Sequence, residues 1–271
     1  MPETVAGRAV FASYNIHKCV GTDRRFDPGR VARVIAEIGA DVIALQEADR
    51  RFGDRGGLLD LAEIERTAGL VPIEVKNGHS GSHGWHGNLV LVREGAVRGL
   101  RQIRLPGLEP RGALVADVEL SAGAVRVVAA HLGLLRQSRL LQIEALLEHA
   151  GETTGRPVVL MGDLNEWRLR RRSALSRFTP SFGPLGVGVP SFPAYFPVLA
   201  LDRVLVRPHG NLVSLQTHES ALSRLASDHL PVRAVVRLDQ VAVEAAPVPS
   251  RQPKRRPLLA RLVAKDQRAR L

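Results

Sequence analysis

The chain has 271 residues, of which 45% are hydrophobic, and its formal net charge is +11 at pH 7. This length allows one large domain or two small ones, and no apolar run approaches the roughly 20 residues of a membrane-spanning helix. No apolar signal segment follows Met1, and the single cysteine, Cys19, excludes an intrachain disulfide and a cysteine-rich zinc site. We therefore expect a cytoplasmic protein without a transmembrane segment, in which any metal is bound by oxygen or imidazole.

Most of the positive charge lies near the C-terminus. Residues 245–271 contain eight basic residues and one acidic residue, so this segment carries +7 of the net charge. Such a segment is typical of an arm that binds nucleic acid or an anionic membrane surface, although a solvated terminus is the commoner explanation. The composition changes after Asp239. We therefore predict a folded domain over residues 1–239 and a basic tail, flexible or partly helical, over residues 240–271.

Strands and helices alternate along the predicted domain, which is typical of an α/β fold with a mixed or parallel sheet. Hydrophobic spacing, helix caps and turn residues define the boundaries. The predicted elements, in order, are strand 9–14, helix 28–38, strand 41–45, helix 58–68, strand 88–93, strands 97–105, 113–120 and 124–131, helix 136–153, and strands 158–161, 199–206, 212–217 and 232–238.

The strand at 158–161 is followed by a group of polar residues. Gly162 comes first, and Asp163 and Asn165 follow at the carboxyl end of the strand. A carboxylate and a carboxamide at this position of an open sheet are suited to bind a divalent cation, a water or a phosphate. Taken alone, the pair is more typical of an ordinary Asx-turn, so a catalytic interpretation depends on the rest of the chain.

Further polar side chains occur elsewhere in the chain, nearly all of them at or beside the ends of other predicted strands, whereas Asp202 lies within the predicted strand 199–206. They are Asn15, Glu47, Asn88, His131, Asp202, Asp228 and His229, and Arg111 lies in a turn ahead of a strand. Each of them alone has a structural explanation, such as a loop aspartate or a core histidine. Several strands that end in carboxylate, carboxamide or imidazole favour a hydrolytic site that uses a hard cation.

These residues occur in short motifs whose order resembles the endonuclease/exonuclease/phosphatase superfamily, which has the DNase I-like fold. Each motif is weak alone, but the ordered set is specific and spans about residues 9–238. The motifs are Ser13-Tyr14-Asn15-Ile16, Leu45-Gln46-Glu47, Gly87-Asn88, His131-Leu132, Gly162-Asp163-Leu164-Asn165, Leu201-Asp202-Arg203 and Ser227-Asp228-His229-Leu230-Pro231. Flanking details, such as Ile16-His17-Lys18, resemble a bacterial branch of the superfamily.

The resemblance implies a four-layer α/β sandwich, in which two packed, mixed β-sheets are flanked by helices and the site lies at one rim. It also implies a bound Mg²⁺ or Mn²⁺, with Glu47 as the principal ligand and Asn15 and Asp228 nearby. Asp163 and Asn165 are expected to orient the attacking water and the scissile phosphate.

The resemblance further assigns the histidines and the remaining polar residues. His229 is implied to be a general base or an imidazole that contacts the phosphate, with Asp202 holding its tautomer. His131 is expected to donate to a phosphoryl oxygen or to help the leaving group depart. Asn88 and Arg111 are expected to contact the substrate phosphate.

Two positions differ from the abasic-site nucleases of the superfamily, which carry an Asp at the position of His17 and a Tyr at that of His131. The chain is therefore more similar to the DNase I, sphingomyelinase and inositol-phosphatase members. DNase-like members orient the histidine at position 131 with a Glu ahead of the neighbouring strand. This chain has His86 and Gly87 there instead.

We therefore expect a monomeric, Mg²⁺-dependent phosphohydrolase that cleaves a phosphodiester of a lipid or small molecule. The alternative is a DNA or RNA endonuclease or exonuclease, which the basic tail and the arginines within 168–172 favour. The aromatic content of 4% argues against it, because it leaves few platforms on which single-stranded bases could stack. A non-catalytic binding module on the same fold is disfavoured, because every core position that can be matched is intact.

Overall fold

The computed structural model describes residues 6–50, 55–76, 81–151, 155–168 and 172–239. The predicted tail at 240–271 and the arginines at 170 and 171 lie outside these ranges. The strands are β1 Arg8–Asn15, β2 Val42–Gln46, β3 Val71–Pro72, β4 Leu89–Val92, β5 Ala96–Arg104, β6 Gly112–Leu120, β7 Gly123–His131, β8 Val158–Asp163, β9 Asp202–Arg207, β10 Leu212–Thr217 and β11 Val232–Arg237. The α-helices are α1 Pro28–Ile38, α2 Leu61–Ala68, α3 Arg136–Ala150, α4 Thr179–Phe182 and α5 Ser223–Ala226.

The strands form two mixed sheets. One has the order β10-β11-β1-β2-β4-β3 and the other has the order β5-β6-β7-β8-β9. Each sheet contains one parallel pair, β1 with β2 and β7 with β8, and a helix crosses over between the strands of each pair. Parallel neighbours need such a crossover, whereas antiparallel neighbours such as β6 and β7 can be joined by a short turn. None of the described helices is long and apolar enough to cross a membrane.

The two sheets pack face to face and helices cover their outer faces, which gives four layers. Strand β2 illustrates the cause, because successive side chains of a strand point to opposite faces. Val42 and Ala44 enter the core between the sheets, and Ile43 and Leu45 pack outwards against helices α1 and α2. Helix α3 covers the second sheet with Ile143 and Leu146. The four-layer α/β sandwich expected from the sequence is therefore confirmed.

Several predicted boundaries shift by one to three residues. Helix α1 begins and ends as expected, because the side chain of Asp27 accepts a hydrogen bond from the backbone of Arg30 and Gly39 closes the helix at φ 62°. Helix α2 was predicted to begin at residue 58, but the Asp60 side chain caps it at the backbone of Glu63. Strand β9 begins at residue 202, three residues later than predicted, so Asp202 lies at a strand end and not within the strand.

Strand register brings the site residues to one rim. In the second sheet, His131, Asp163 and Asp202 are direct neighbours across β7, β8 and β9. In the first sheet, Asn15 ends β1 beside the last residue of β2, and Glu47 follows it. Strand β11 runs antiparallel to β1 with its first residue opposite Ser13, so the segment just before β11 reaches the same rim.

Candidate active site

Three polar residues form a row across the rim of the second sheet, and close backbone packing holds the row together. His131, Asp163 and Asp202 are each less than 5% exposed. Gly162 precedes Asp163 at φ 155°, and a Cβ on it would collide with the carbonyl oxygen of Ala130 on the neighbouring strand. Only glycine permits this approach, so the sequence around Asp163 is adapted to bring β7 and β8 together at the site.

His229 and Asp202 form a buried pair. The Nδ1 atom of His229 lies 2.8 Å from Oδ2 of Asp202, and the Ser191 hydroxyl donates to the same oxygen at 2.6 Å. Burial disfavours the imidazolium, but the carboxylates of Asp202, Asp163 and Asp228 outweigh this effect and raise the pKa of His229 to about 10. The carboxylates thus favour the charged ring, and its Nε2 atom lies 3.9 Å from Oδ2 of Asp163.

Asp163 is the centre of the arrangement. Its Oδ2 atom accepts a hydrogen bond from Nδ2 of Asn15 at 3.0 Å and lies 3.4 Å from Nε2 of His131 and 3.9 Å from Nε2 of His229. Its Oδ1 atom accepts the backbone N–H of Asn165 at 3.0 Å, which is an Asx-turn. The Asx-turn and the polar cluster thus occur together at Asp163. The cluster brings the imidazoles of His131 and His229 and the carboxamide of Asn15 to the Asp163 carboxylate, with residues from both sheets.

Asn165 and Glu47 share an unusual backbone. Both adopt left-handed conformations, at φ 51° and φ 58°. Residues other than glycine rarely do so, and such strain is concentrated at functional sites. The Asn165 side chain donates to the carbonyl oxygen of Leu132 at 2.9 Å, so it ties the loop after β8 to the loop after His131.

Glu47 places a second carboxylate at the rim, in addition to that of Asp163. Its Oε2 atom lies 2.8 Å from Nζ of Lys18. Burial favours the neutral carboxyl, but Lys18, then His17 and Arg111, outweigh that effect and hold the pKa of Glu47 below its ordinary value. A partly buried carboxylate that faces a cation, together with amide and carboxylate oxygens at the adjacent strand end, is a donor set that suits a hard divalent cation.

The described residues also contain another group that could hold a metal ion. Ligand atoms of Asp163, Asp202 and His229 lie within 4.8 Å of one another. In this group, however, Nδ1 of His229 is already bonded to Asp202. The residues expected to hold a metal from the sequence, Glu47, Asn15 and Asp228, offer oxygen donors only, which is the set that Mg²⁺ prefers.

The other expected site residues are placed as follows. Asp228 is about one-third exposed and lies 3.7 Å from the His17 ring. Asn88 is fully buried, and its amide donates to the backbone oxygens of Trp85 and Gly112, which joins the two sheets.

Arg111 lies beside His131. Its two terminal nitrogens contact Nδ1 of His131 at 3.0 Å and a carboxylate oxygen of Glu109 at 2.9 Å. A cleft next to this contact is lined by Lys18, Glu47, Asp49, Arg55, His86, Gly87, Pro110, Arg111 and His131.

Sequence reasoning did not identify Ser191 and Phe192, which lie in an irregular loop. Ser191 is fully buried against Asp202, and the Phe192 ring lies 4.9 Å from the His229 ring. The loop also donates the backbone N–H of Ala194 to the carbonyl oxygen of Asp228 at 2.7 Å. A polar residue between Pro190 and an aromatic residue carries no recognisable catalytic pattern, so no sequence signal pointed to this role.

A buried ion pair supports the loops that carry the site. Arg139 of α3 and Glu166 are both fully buried, and Nη2 of Arg139 lies 3.2 Å from Oε2 of Glu166. Arg139 also donates to the backbone oxygens of Gly133 and Leu134, just after His131. Burial opposes ionisation of Glu166, but hydrogen bonds from two backbone amides and the charge of Arg139 hold its pKa below the ordinary value.

We expect Arg139→Met to lower the free energy of unfolding by about 3–5 kcal/mol, because it leaves the Glu166 carboxylate buried and unpaired. Chemical denaturation monitored by circular dichroism measures this loss. Arg66→Met is a matched control, because Arg66 pairs with Glu63 at 2.7 Å while 71% of its side chain is exposed. This control should cost less than about 1 kcal/mol. Equal losses in the two variants would show that the buried pair has no special role.

Comparison with known proteins identifies similar chains. The family model that describes Endonuclease/Exonuclease/phosphatase proteins matches residues 12–229 of this chain, a range that includes every residue of the site. The uncharacterized protein YbhP of Escherichia coli strain K12 is 28% identical over 242 residues, with 83% of this chain and 94% of YbhP covered.

Solved structures resemble the chain as well. An endonuclease/exonuclease/phosphatase from Beutenbergia cavernae DSM 12333 has a TM-score of 0.64 and 26% identity, with 85% of this chain and 72% of that chain covered. The structure of D. rerio TDP2 complexed with a single strand DNA product has a TM-score of 0.58 and 17% identity, with 84% and 98% covered. At this identity the second likeness concerns the fold alone.

Proposed function

The chain belongs to the endonuclease/exonuclease/phosphatase family, and on that premise we propose that it is a metal-dependent hydrolase of phosphodiesters, acting on a lipid or another small phosphodiester. One observation carries the proposal. Two buried imidazoles, those of His131 and His229, converge on the carboxylate of Asp163, and the second imidazole is hydrogen-bonded to Asp202. A carboxylate that can accept a proton from water, with two imidazoles nearby that can donate to a phosphate, suits an in-line attack of water.

The roles of the residues follow from their charges. The charged His229 ring can donate through Nε2 to a phosphoryl oxygen as negative charge develops there. Asp163 accepts hydrogen bonds and can orient the attacking water and take its proton while the P–O bond to the leaving group breaks. The alternative role of His229, as the base itself, requires the neutral ring, which the surrounding carboxylates disfavour.

Glu47 is the residue that we propose as the principal ligand of Mg²⁺ or Mn²⁺, with Asn15 and Asp228 nearby. When bound there, the cation would neutralise negative charge on the phosphoryl group and on the departing oxygen. The support in this chain is the partly buried Glu47 carboxylate, whose pKa Lys18 helps to hold below its ordinary value.

Exposed apolar side chains beside the site support a lipid or other apolar substrate. They occur on three loops that follow or contact site residues, and they are Leu134, Leu135, Trp167, Tyr195 and Phe196, each 47% or more exposed. Aromatic side chains can also stack on bases, and D. rerio TDP2 has been solved with a single strand DNA product. A DNA or RNA nuclease is therefore the second candidate.

A substrate panel separates the two candidates. Purified protein is incubated, with Mg²⁺ and with Mn²⁺, with bis(p-nitrophenyl) phosphate, sphingomyelin vesicles, inositol phosphates, supercoiled plasmid and a single-stranded oligonucleotide. We expect cleavage of the small or lipid diester at a higher kcat/KM than cleavage of either nucleic acid. The reverse order would establish the nuclease.

The basic tail is expected to contribute binding without chemistry. A chain ending at Asp239 should hydrolyse a small soluble diester at the rate of the full chain. It should lose any salt-sensitive binding to anionic vesicles or nucleic acid that the full chain has, as measured by sedimentation or fluorescence anisotropy. Loss of small-diester hydrolysis in a folded truncation would place part of the site in the tail.

A further inference from the structure

The second ring nitrogen of His131 faces a group that can only donate. Nη1 of Arg111 lies 3.0 Å from Nδ1 of His131. A guanidinium has five N–H donors and no acceptor, so the hydrogen bond requires a lone pair on Nδ1. A neutral imidazole with an unprotonated Nδ1 carries its proton on Nε2. That proton points to the Asp163 side, where the carboxylate oxygen lies 3.4 Å away.

Arg111 is itself held in place. It lies in the turn ahead of β6, and its Nη2 atom donates to Oε2 of Glu109 at 2.9 Å. The other carboxylate oxygen of Glu109 accepts the backbone N–H of Leu134 at 2.6 Å, in the loop that follows the histidine. The side chains of Arg111 and Glu109 are only 11% and 17% exposed. The guanidinium is therefore fixed between Glu109 and the His131 ring.

This arrangement differs from one in which a carboxylate faces the same nitrogen. A carboxylate accepts a hydrogen bond from Nδ1–H and stabilises the imidazolium, which prepares the ring to act as an acid. A guanidinium has the opposite effect, because a second proton on the ring would place two cations in contact at a buried position. A donor at position 111 thus favours a different protonation of the histidine than an acceptor there would.

We propose that Arg111 is a positioning residue that holds His131 as a neutral imidazole with its proton on Nε2. His131 then acts as a fixed hydrogen-bond donor to a phosphoryl oxygen and keeps that proton throughout the reaction. When the P–O bond to the leaving group breaks, the departing oxygen takes its proton from water or from the His229 imidazolium. This catalytic consequence rests on the proposed function, whereas the tautomer does not.

¹⁵N NMR of the protein without substrate measures which ring nitrogen of His131 carries the proton. The full chain is labelled with ¹⁵N in its histidine rings, and the His131 signals are assigned by their loss in His131→Gln. We expect Nε2 to show the shift of a protonated nitrogen and Nδ1 that of an unprotonated one. A proton on Nδ1, or on both nitrogens, at neutral pH would overturn the proposal.

Two variants test whether Arg111 is responsible. Arg111→Lys retains a pure donor and should keep the Nε2–H tautomer, whereas Arg111→Glu supplies an acceptor and should bring a proton to Nδ1. Unchanged ring shifts in a folded Arg111→Glu protein would show that this residue does not set the tautomer.

The proposed role of Arg111 in catalysis is tested separately, by steady-state kinetics. With bis(p-nitrophenyl) phosphate, Arg111→Met should lower kcat about 10- to 100-fold with little change in KM, and Arg111→Lys should recover part of the loss. A correct tautomer in a protein that hydrolyses no phosphoester would contradict the proposed function and leave the positioning role intact. If Arg111→Met is active and its kcat is unchanged, Arg111 has no role in catalysis, whereas the proposed tautomer of His131 is not contradicted.

Discussion

His229→Ala is expected to lower the turnover of a phosphodiester by roughly 10² to 10⁴, the usual contribution of a positioned acid–base group. The ring is 5% exposed, is bonded to Asp202 at 2.8 Å and lies 3.9 Å from the Asp163 carboxylate. Its removal eliminates the proposed donor to the phosphate and one of the two imidazoles that lie beside the Asp163 carboxylate. Steady-state kinetics with bis(p-nitrophenyl) phosphate measure the loss, and thermal unfolding confirms that the variant is folded.

The partner of His229 should behave as part of the same unit. Asp202→Asn keeps the shape of the side chain and an acceptor for Ser191, but it removes the charge that orients the imidazole and stabilises its charged form. We expect a loss of similar size, and a double variant scarcely worse than His229→Ala, because residues that act together are non-additive.

His209→Ala is the matched control for His229→Ala. His209 is exposed and follows β9 at the end opposite to Asp202, so its removal should leave turnover within about twofold of the wild type. If the losses at His229 and Asp202 simply multiplied, the two residues would work separately and the pair would have to be abandoned.

Glu47→Gln is expected to leave the fold intact while it lowers Mn²⁺ affinity by at least about 10-fold and turnover by about 10² or more. Glutamine has the size of glutamate but lacks the charge, so the oxygen beside Lys18 becomes a weak ligand for a hard cation. Isothermal titration with Mn²⁺ and kinetics at varied Mg²⁺ concentration measure the two effects.

Glu119→Gln provides the control, because Glu119 lies on β6 in an exposed pair with Arg98 and should have no influence on either quantity. Unchanged Mn²⁺ affinity in Glu47→Gln, together with lost affinity in Asp163→Asn, would assign the metal to Asp163, Asp202 and His229.

The sequence predicts most of the strand-end residues because the geometry of a sheet constrains them. Buried apolar runs specify where β7 and β8 end, and the parallel pairing of these strands then makes His131 and Asp163 direct neighbours. Residues such as these can be identified from hydrophobic patterning and from the order of the short motifs. The four-layer fold is implied by the family resemblance that the ordered motifs carry, and the burial of both faces of β2 agrees with it.

The supporting contacts could not be predicted, because they depend on side-chain direction in irregular segments. Ser191 reaches Asp202 only because the loop that carries it folds back over the start of β9. Arg111 was expected at the substrate phosphate, and its contact with His131 depends on the conformation of one turn. The contact between Lys18 and Glu47 likewise depends on left-handed backbone at both residues, which hydrophobic periodicity does not encode.

Hydrolysis of bis(p-nitrophenyl) phosphate by the purified full chain, followed with Mg²⁺ and again with EDTA, is the most direct test of metal-dependent phosphodiester cleavage at this site. We expect p-nitrophenolate release with Mg²⁺ that EDTA abolishes, that excess Mg²⁺ restores, and that is lost in His229→Ala but not in His209→Ala. Release that continues unchanged in EDTA, or that survives unchanged in folded His229→Ala, would contradict this assignment of the active site.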